Sequence, residues 1–208
     1  MNRNKVTALT NDQYSLLRSV SWEQKFNSQY PYITQVGKPS GMMYGFIYDG
    51  TYKYDDFTSA NSLKDGVPYM SSVGQSAVRP GDPKYRDVNK DGVVDDNDRT
   101  IIGCGQPLHT GGFGNTFNFY GFDLNIFFSW SYGNDILNAN RLYFENGTLS
   151  NTNQLKSYKG RWTEKNPNSD IPRIQANGMY VYSSRVIEDG SFLRLRNVTL
   201  GYTLPRKT

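Results

Sequence analysis

The stretch TGGFGNTFNFYGFDLNIFFSWS runs from Thr110 to Ser131. In its first half Phe113, Phe117 and Phe119 share one side of an extended chain, and Thr116 and Asn118 share the other. In its second half Leu124, Ile126, Phe128 and Trp130 alternate with Asp123, Asn125, Phe127 and Ser129. Tyr120-Gly121 interrupts the pattern between the halves. Two runs of period two joined by a tight turn read as a β-hairpin.

Outward from this hairpin the same signal returns once, from Phe192 to Leu204. There Val198, Leu200, Tyr202 and Leu204 face one way and Asn197, Thr199, Gly201 and Thr203 the other. On this count Arg194 and Arg196 share the face of Phe192, at the start of the apolar band, where arginines sit at headgroup level. Residues 4–9 (NKVTAL) read as the end of a strand. Gly41 to Phe57 (GMMYGFIYDGTYKYDDF) has room for one or two short strands broken by Gly45 and Gly50. Residues 132–190, rich in Asn, Gly, Ser and Pro, read as one long loop with local structure.

Alternation alone does not separate a soluble sandwich from a membrane barrel. In the first the apolar face meets a core; in the second it meets lipid. Loop length favours the barrel. A long segment precedes the first strand of the hairpin, a tight turn joins it to the second, and another long segment precedes the last strand. Outer-membrane barrels alternate short and long connections in this way.

Composition excludes several classes. Of 208 residues 14% are aromatic, including 16 Tyr and 11 Phe, which argues against disorder despite a mean hydropathy of −0.67. The net charge is +4 with Lys and Arg scattered, so no basic stripe for nucleic acid is present. One Cys, Cys104, allows no internal disulfide, and with one His, His109, it rules out Cys/His zinc sites. Both read as loop residues. No apolar run approaches the length of a membrane helix, and no secretory signal opens the chain. No nucleophile, base and orienting group stand out as an enzyme's constellation.

One stretch carries a metal-binding pattern. DVNKDGVVDDND, Asp87 to Asp98, holds five Asp and two Asn in a chain that is otherwise basic. It matches the spacing D-x-N-x-D-G of calcium loops. Asp87, Asn89 and Asp91 would supply side-chain oxygens, Val93 its carbonyl, Asp95 a contact through water, and Asp98 would close the shell. Gly92 would permit the sharp turn. Hard oxygen donors in this number suit Ca²⁺. No flanking helix pair is evident, so the ion's expected role is structural. The alternative is a solvated Asx-rich turn.

Five segments, taken in order, carry a resemblance. They are YGFIYDG (44–50), GDPKYRDVNKDGVVDDNDRTIIG (81–103), GGFGNTFNFYGFDLNIFFSWSYGNDI (111–136), RWTEKNPNSDIPRI (161–174) and DGSFLRLRNVTLGYTLP (189–205). Together they resemble the C-terminal barrel region of SusC/RagA-type TonB-linked outer-membrane proteins, from about residue 32 onward. The resemblance implies a fold, a partner and a location. The fold is all-β: a partial antiparallel transmembrane β-barrel segment with long extracellular loops. Residues 1–9 end a barrel strand, 10–109 form a long extracellular segment holding the calcium-type loop 87–98, and 110–131 form a barrel hairpin. Residues 132–190 form a second extracellular loop and 191–205 a barrel strand. The function implied is import of oligosaccharides or peptides across the outer membrane of a Gram-negative bacterium, with a SusD-like surface lipoprotein as lid and TonB as energy source.

Against the family's pattern, the chain shows no TonB box and no plug, and it stops short of the final strands. The expectation is therefore a piece of a transporter. The competing expectation is a soluble secreted calcium-stabilised β domain that binds carbohydrate. Trp22, Tyr44, Tyr48, Tyr52, Tyr54, Trp130, Tyr143 and Trp162 are candidates to stack on sugars, each with a core, membrane-girdle or lid-contact role as the alternative.

Overall fold

The computed structural model describes residues 4–20, 29–145, 147, 152–174 and 176–204. It is nearly all β, with mostly antiparallel sheets, one short α-helix and several single-turn 3-10 helices. Eight short strands precede the hairpin: β1 (Ser15–Arg18), β2 (Tyr32–Gln35), β3 (Met42–Gly45), β4 (Tyr48–Thr51), β5 (Tyr69–Met70), β6 (Pro83–Tyr85), β7 (Val93–Val94) and β8 (Thr100–Cys104). The hairpin strands are β9 (His109–Phe119) and β10 (Phe122–Tyr132). After β11 (Asp135–Leu137), the helix α1 (Asn140–Phe144) and β12 (Ile187–Asp189), the chain finishes with β13 (Phe192–Tyr202).

β9, β10 and β13 are each 11 residues long, and the other strands have five or fewer. They form one antiparallel sheet in the order β13-β10-β9. At ~3.3 Å per residue an 11-residue strand reaches about 36 Å, enough to cross a bilayer with a tilt. The sheet is not closed. Its turn has both central residues at positive φ, Tyr120 at 47° and Gly121 at 82°, as the two-residue turns that match strand twist require. Tyr132 pairs with His109 and Ser131 with Phe192, so both long segments leave the sheet at the end opposite that turn.

One register detail departs from simple alternation. The pairing of β10 with β13 shifts between Phe127 and Phe128, where Arg196 and Asn197 face a single residue. This bulge reverses the parity of β13. Leu193 opposite Trp130, and Leu195 opposite Phe128, join the face of Val198 and Leu200. Arg194 is paired with Ser129, and Arg196 donates from Nε to the Ser129 hydroxyl at 3.0 Å, so both arginines lie on the polar face. The arginines thus do not share the apolar band's face, as unbroken period two would have it.

The buried core lies in the two long segments. Phe46, Met70, Tyr85 and Val94 form one cluster, and Tyr52, Phe57, Leu63 and Val78 a second. Val73 touches both. A third joins Leu142, Tyr182 and Val186. Contacts remote in sequence bind the segments into one cap. Phe46 bridges to Ser183, the Tyr85 hydroxyl donates to the Gly178 carbonyl, and Arg173 meets buried Asp82 at 2.7 Å. Buried Glu145 lies between Arg141 and Arg185, at 3.0 Å from each.

The stretch Gly41–Phe57 does hold two strands, β3 and β4. Residues 4–9, expected to end a strand, carry none, because Val6 is tied to the turn that follows β2 rather than to a strand ladder: its N–H donates to Lys38 O and its carbonyl accepts from Gly37. Cys104 and His109, expected in loops, are strand residues at the end of β8 and the start of β9.

Candidate functional site

The long sheet presents two unlike faces. Phe113, Phe117, Leu124, Ile126, Phe128, Trp130, Leu193, Leu195, Val198 and Leu200 share one of them through their cross-strand pairing. Much of this face is open: Phe117 is 54% exposed and Leu200 68%. The opposite face carries Thr116, Asn118, Asp123, Asn125, Ser129 and Thr199. Glycines of β9 seat the aromatics of β10. A Cβ on Gly111 would lie 2.3 Å from the Trp130 ring, and one on Gly112 2.8 Å from Phe127. Trp130 Nε1 donates to His109 Nδ1 at 3.1 Å, and His109 stacks on Tyr132. An apolar face this wide, left uncovered, marks an interaction surface.

The acidic loop lies between β6 and β8. Gly92 sits at φ 90° and Lys90 at 63°, so the turn expected at Gly92 is present. The structure gathers Asp87, Asn89, Asp91, Val93, Asp95 and Asp98 into this one loop, with Val93 opening β7. Most of their side-chain oxygens hold the loop's own backbone. Asp87 accepts from Lys90 N at 2.6 Å and Gly92 N at 2.7 Å. Asn89 accepts from Asp91 N, Asp91 from Val93 N, and Asp95 from Asn97 N. Asp98 is 0% exposed and accepts three N–H groups: Val88 at 2.7 Å, Asn89 at 3.3 Å and Asp95 at 2.8 Å. Among the described residues no group of three His, Cys, Asp or Glu side chains is arranged to hold a metal ion. The donors are nonetheless the hard oxygens that suit Ca²⁺, and the exposed carboxylate of Asp91 remains within reach of solvent.

The aromatic candidates divide. Tyr52 and Trp162 are buried, and Tyr48 packs edge-on against Tyr85 while its hydroxyl donates to the Asp170 carbonyl. Burial pushes the phenols of Tyr48, Tyr52 and Tyr85 well above their ordinary value of 10.0. These three are core residues. Tyr54 is half exposed and leans on Trp162, and Tyr143 packs edge-on against Phe144. Trp130 lies on the apolar sheet face. Trp22 lies outside the described residues.

Two features escaped the sequence. Of the Glu145 cluster only the four-residue spacing of Arg141 and Glu145 is local, and Arg185 comes from the far end of the same segment. Asp82 is raised above the usual carboxylate value by burial, against the lowering by Arg173 and by N–H groups of Arg79 and Asn177. With Asp98 and Glu145 it is one of three buried acids among the described residues of the cap.

With these faces and loops in view, the similarities of the chain fall into place. TonB-dependent receptor P3 of Formosa agariphila is 30% identical over 204 residues, which is 98% of this chain. This chain is a homologue of one stretch of that receptor. TonB-dependent receptor P26 of the same organism is 30% identical over 174 residues, 82% of the chain. The chain spans 19% and 16% of the lengths of these two relatives, under a fifth of each. Among solved structures, that of the RagAB peptide transporter superposes with a TM-score of 0.66 at 22% identity, over 97% of this chain and 19% of its own. That likeness is one of fold. No protein-family model matches the chain.

Proposed function

We propose that this chain builds part of the wall and the outward cap of a TonB-dependent importer in a Gram-negative outer membrane. One observation carries the reading: three hydrogen-bonded strands of membrane-crossing length expose a broad, largely apolar face on one side and a mainly polar one on the other. Lipid covers that face, and the polar face lines a wet lumen. Further strands pair with the outer edges of β9 and β13, since open edges are not tolerated in hydrocarbon. The Tyr120-Gly121 turn is periplasmic and the cap faces outward. There it meets oligosaccharide or peptide cargo and a SusD-like lipoprotein lid, while TonB supplies the energy. A Ca²⁺ held by Asp87, Asn89, Asp91, Asp95 and the Val93 carbonyl pins the acidic loop, with Asp98 framing it from beneath. The uncovered apolar face weighs against a soluble domain.

Cysteine labelling tests the reading, in a background where Cys104 is replaced by Ser. A fluorophore at Leu200→Cys should be quenched by brominated lipid, and one at the neighbouring Thr199→Cys by aqueous iodide. An impermeant maleimide applied to intact cells should modify Asn61→Cys and spare Tyr120→Cys. Equal aqueous quenching at 199 and 200 would refute the membrane placement.

A further inference from the structure

We propose that Arg194 and Arg196, turned onto the polar face of the long sheet by the β13 bulge, form a carboxylate-binding site that takes the acidic side chain of a peptide. That the peptide is cargo crossing a lumen rests on the import reading above; that the site binds it does not. The two side chains meet at one place. Ser129 is the cross-strand partner of Arg194, and its hydroxyl accepts from Arg196 Nε at 3.0 Å. One contact holds each guanidinium: Arg196 spends its Nε on Ser129, and Arg194 lies over the Phe192 ring at 5.1 Å. Both arginines are exposed, so a ligand reaches them directly.

Like charges set side by side repel, and the sheet does not offset them. Among the described residues neither arginine forms an ion pair. The one carboxylate among the described residues of this face is Asp123, next to the Tyr120-Gly121 turn. It stands six residues from Ser129 along β10, about 20 Å at ~3.3 Å per residue. Bulges that re-aim side chains in this way cluster at functional sites. Two guanidinium forks suit a carboxylate, whose oxygens accept charge-assisted bonds from both. Aromatic rings flank the pair. Phe127, 40% exposed, lies across Gly112 and Gly114, whose added Cβ atoms would meet its ring at 2.8 and 3.1 Å. Gly112 is the other cross-strand partner of Ser129, so the ring reaches the arginines' own row. Phe192, 41% exposed and opposite Ser131, closes the site on the cap side. Phenyl rings leave the hydroxyls of a sugar without partners but pack against the apolar atoms of a peptide, so the site favours an acidic peptide.

Titration calorimetry on the detergent-solubilised protein tests the site with three probes: an acetylated tripeptide amide with Glu at its centre, the same peptide with Gln, and glucose 6-sulfate. The Glu peptide should bind at least ~10-fold more tightly than the other two. Arg194→Gln and Arg196→Gln should each weaken it ~10-fold. Arg196→Lys should weaken it less, because an ammonium keeps the charge and loses the fork. Equal binding of the Glu and Gln peptides, a preference for the sulfate, or wild-type affinity in both Gln variants would overturn the proposal. A wild-type protein that ignores the Glu peptide, with a melting temperature that falls when both arginines become Gln, would also overturn it, because the pair then serves a carboxylate of the protein itself. Equal aqueous quenching at 199 and 200 would instead refute the import reading and leave these titrations to judge the site.

Discussion

Replacing Asp98 by Ala removes an acceptor from three backbone N–H groups at once, those of Val88, Asn89 and Asp95. Asp98 is fully buried, so water does not reach the orphaned groups without opening the loop. Each buried unpaired N–H costs roughly 1–3 kcal/mol, and the 3.3 Å bond to Asn89 belongs at the low end. The expected loss is about 3–5 kcal/mol of cap stability. For a domain of this size that lowers the melting temperature by roughly 8–15 °C. Asp91→Ala, at an exposed position, should cost no more than ~1 kcal/mol. The two variants should be compared by thermal unfolding in detergent, with calcium and with a chelator. Hydrogen exchange at amides 88, 89 and 95 reads the bonds directly. If Asp98 acts through the backbone, its large penalty persists in the chelator and those amides lose protection. A penalty that disappears in the chelator, or one equal to that of Asp91→Ala, would show that Asp98 serves a metal ion instead and would refute the reasoning.

Other perturbations probe the hairpin and the cap. Gly121→Val places a branched side chain at φ 82° with its Cβ 3.0 Å from the Thr203 carbonyl. It should cost about 1–3 kcal/mol and slow hairpin assembly, read as a lower yield of folded, heat-modifiable protein on gels. Glu145→Ala strands Arg141 and Arg185 in a buried site. It should destabilise the cap by about 3–5 kcal/mol, measured by protease resistance. Burial raises the Tyr48, Tyr52 and Tyr85 phenols above 10.0, so the folded cap binds more protons than the unfolded chain once pH exceeds 10. Their stabilisation is complete below pH 10 and falls as pH rises beyond it. Tyr85→Phe should therefore blunt alkaline unfolding, while costing about 1 kcal/mol at neutral pH for the lost bond to Gly178.

The strands of the long sheet were legible in the sequence because their cause is local. A chain between an apolar and a polar phase must alternate, and a tight reversal needs residues such as Tyr120-Gly121 that accept positive φ. The acidic loop was legible for the same reason, since its side chains bond backbone only two to ten residues away. What Asp98 does there was not, because its burial depends on how the loop packs. The bulge at Arg196 was equally hidden. It moves Leu193 and Leu195 onto the apolar face and the arginines off it, and a single inserted residue leaves no periodic trace until a partner strand fixes the register. Tertiary structure alone decided the cap. Phe46 with Ser183, Tyr85 with Gly178, Asp82 with Arg173 and Glu145 with Arg185 join residues 40 to 137 positions apart. No local spacing encodes such pairs; they form because two long polar segments, leaving the sheet at the same end, have their apolar residues to bury only against each other.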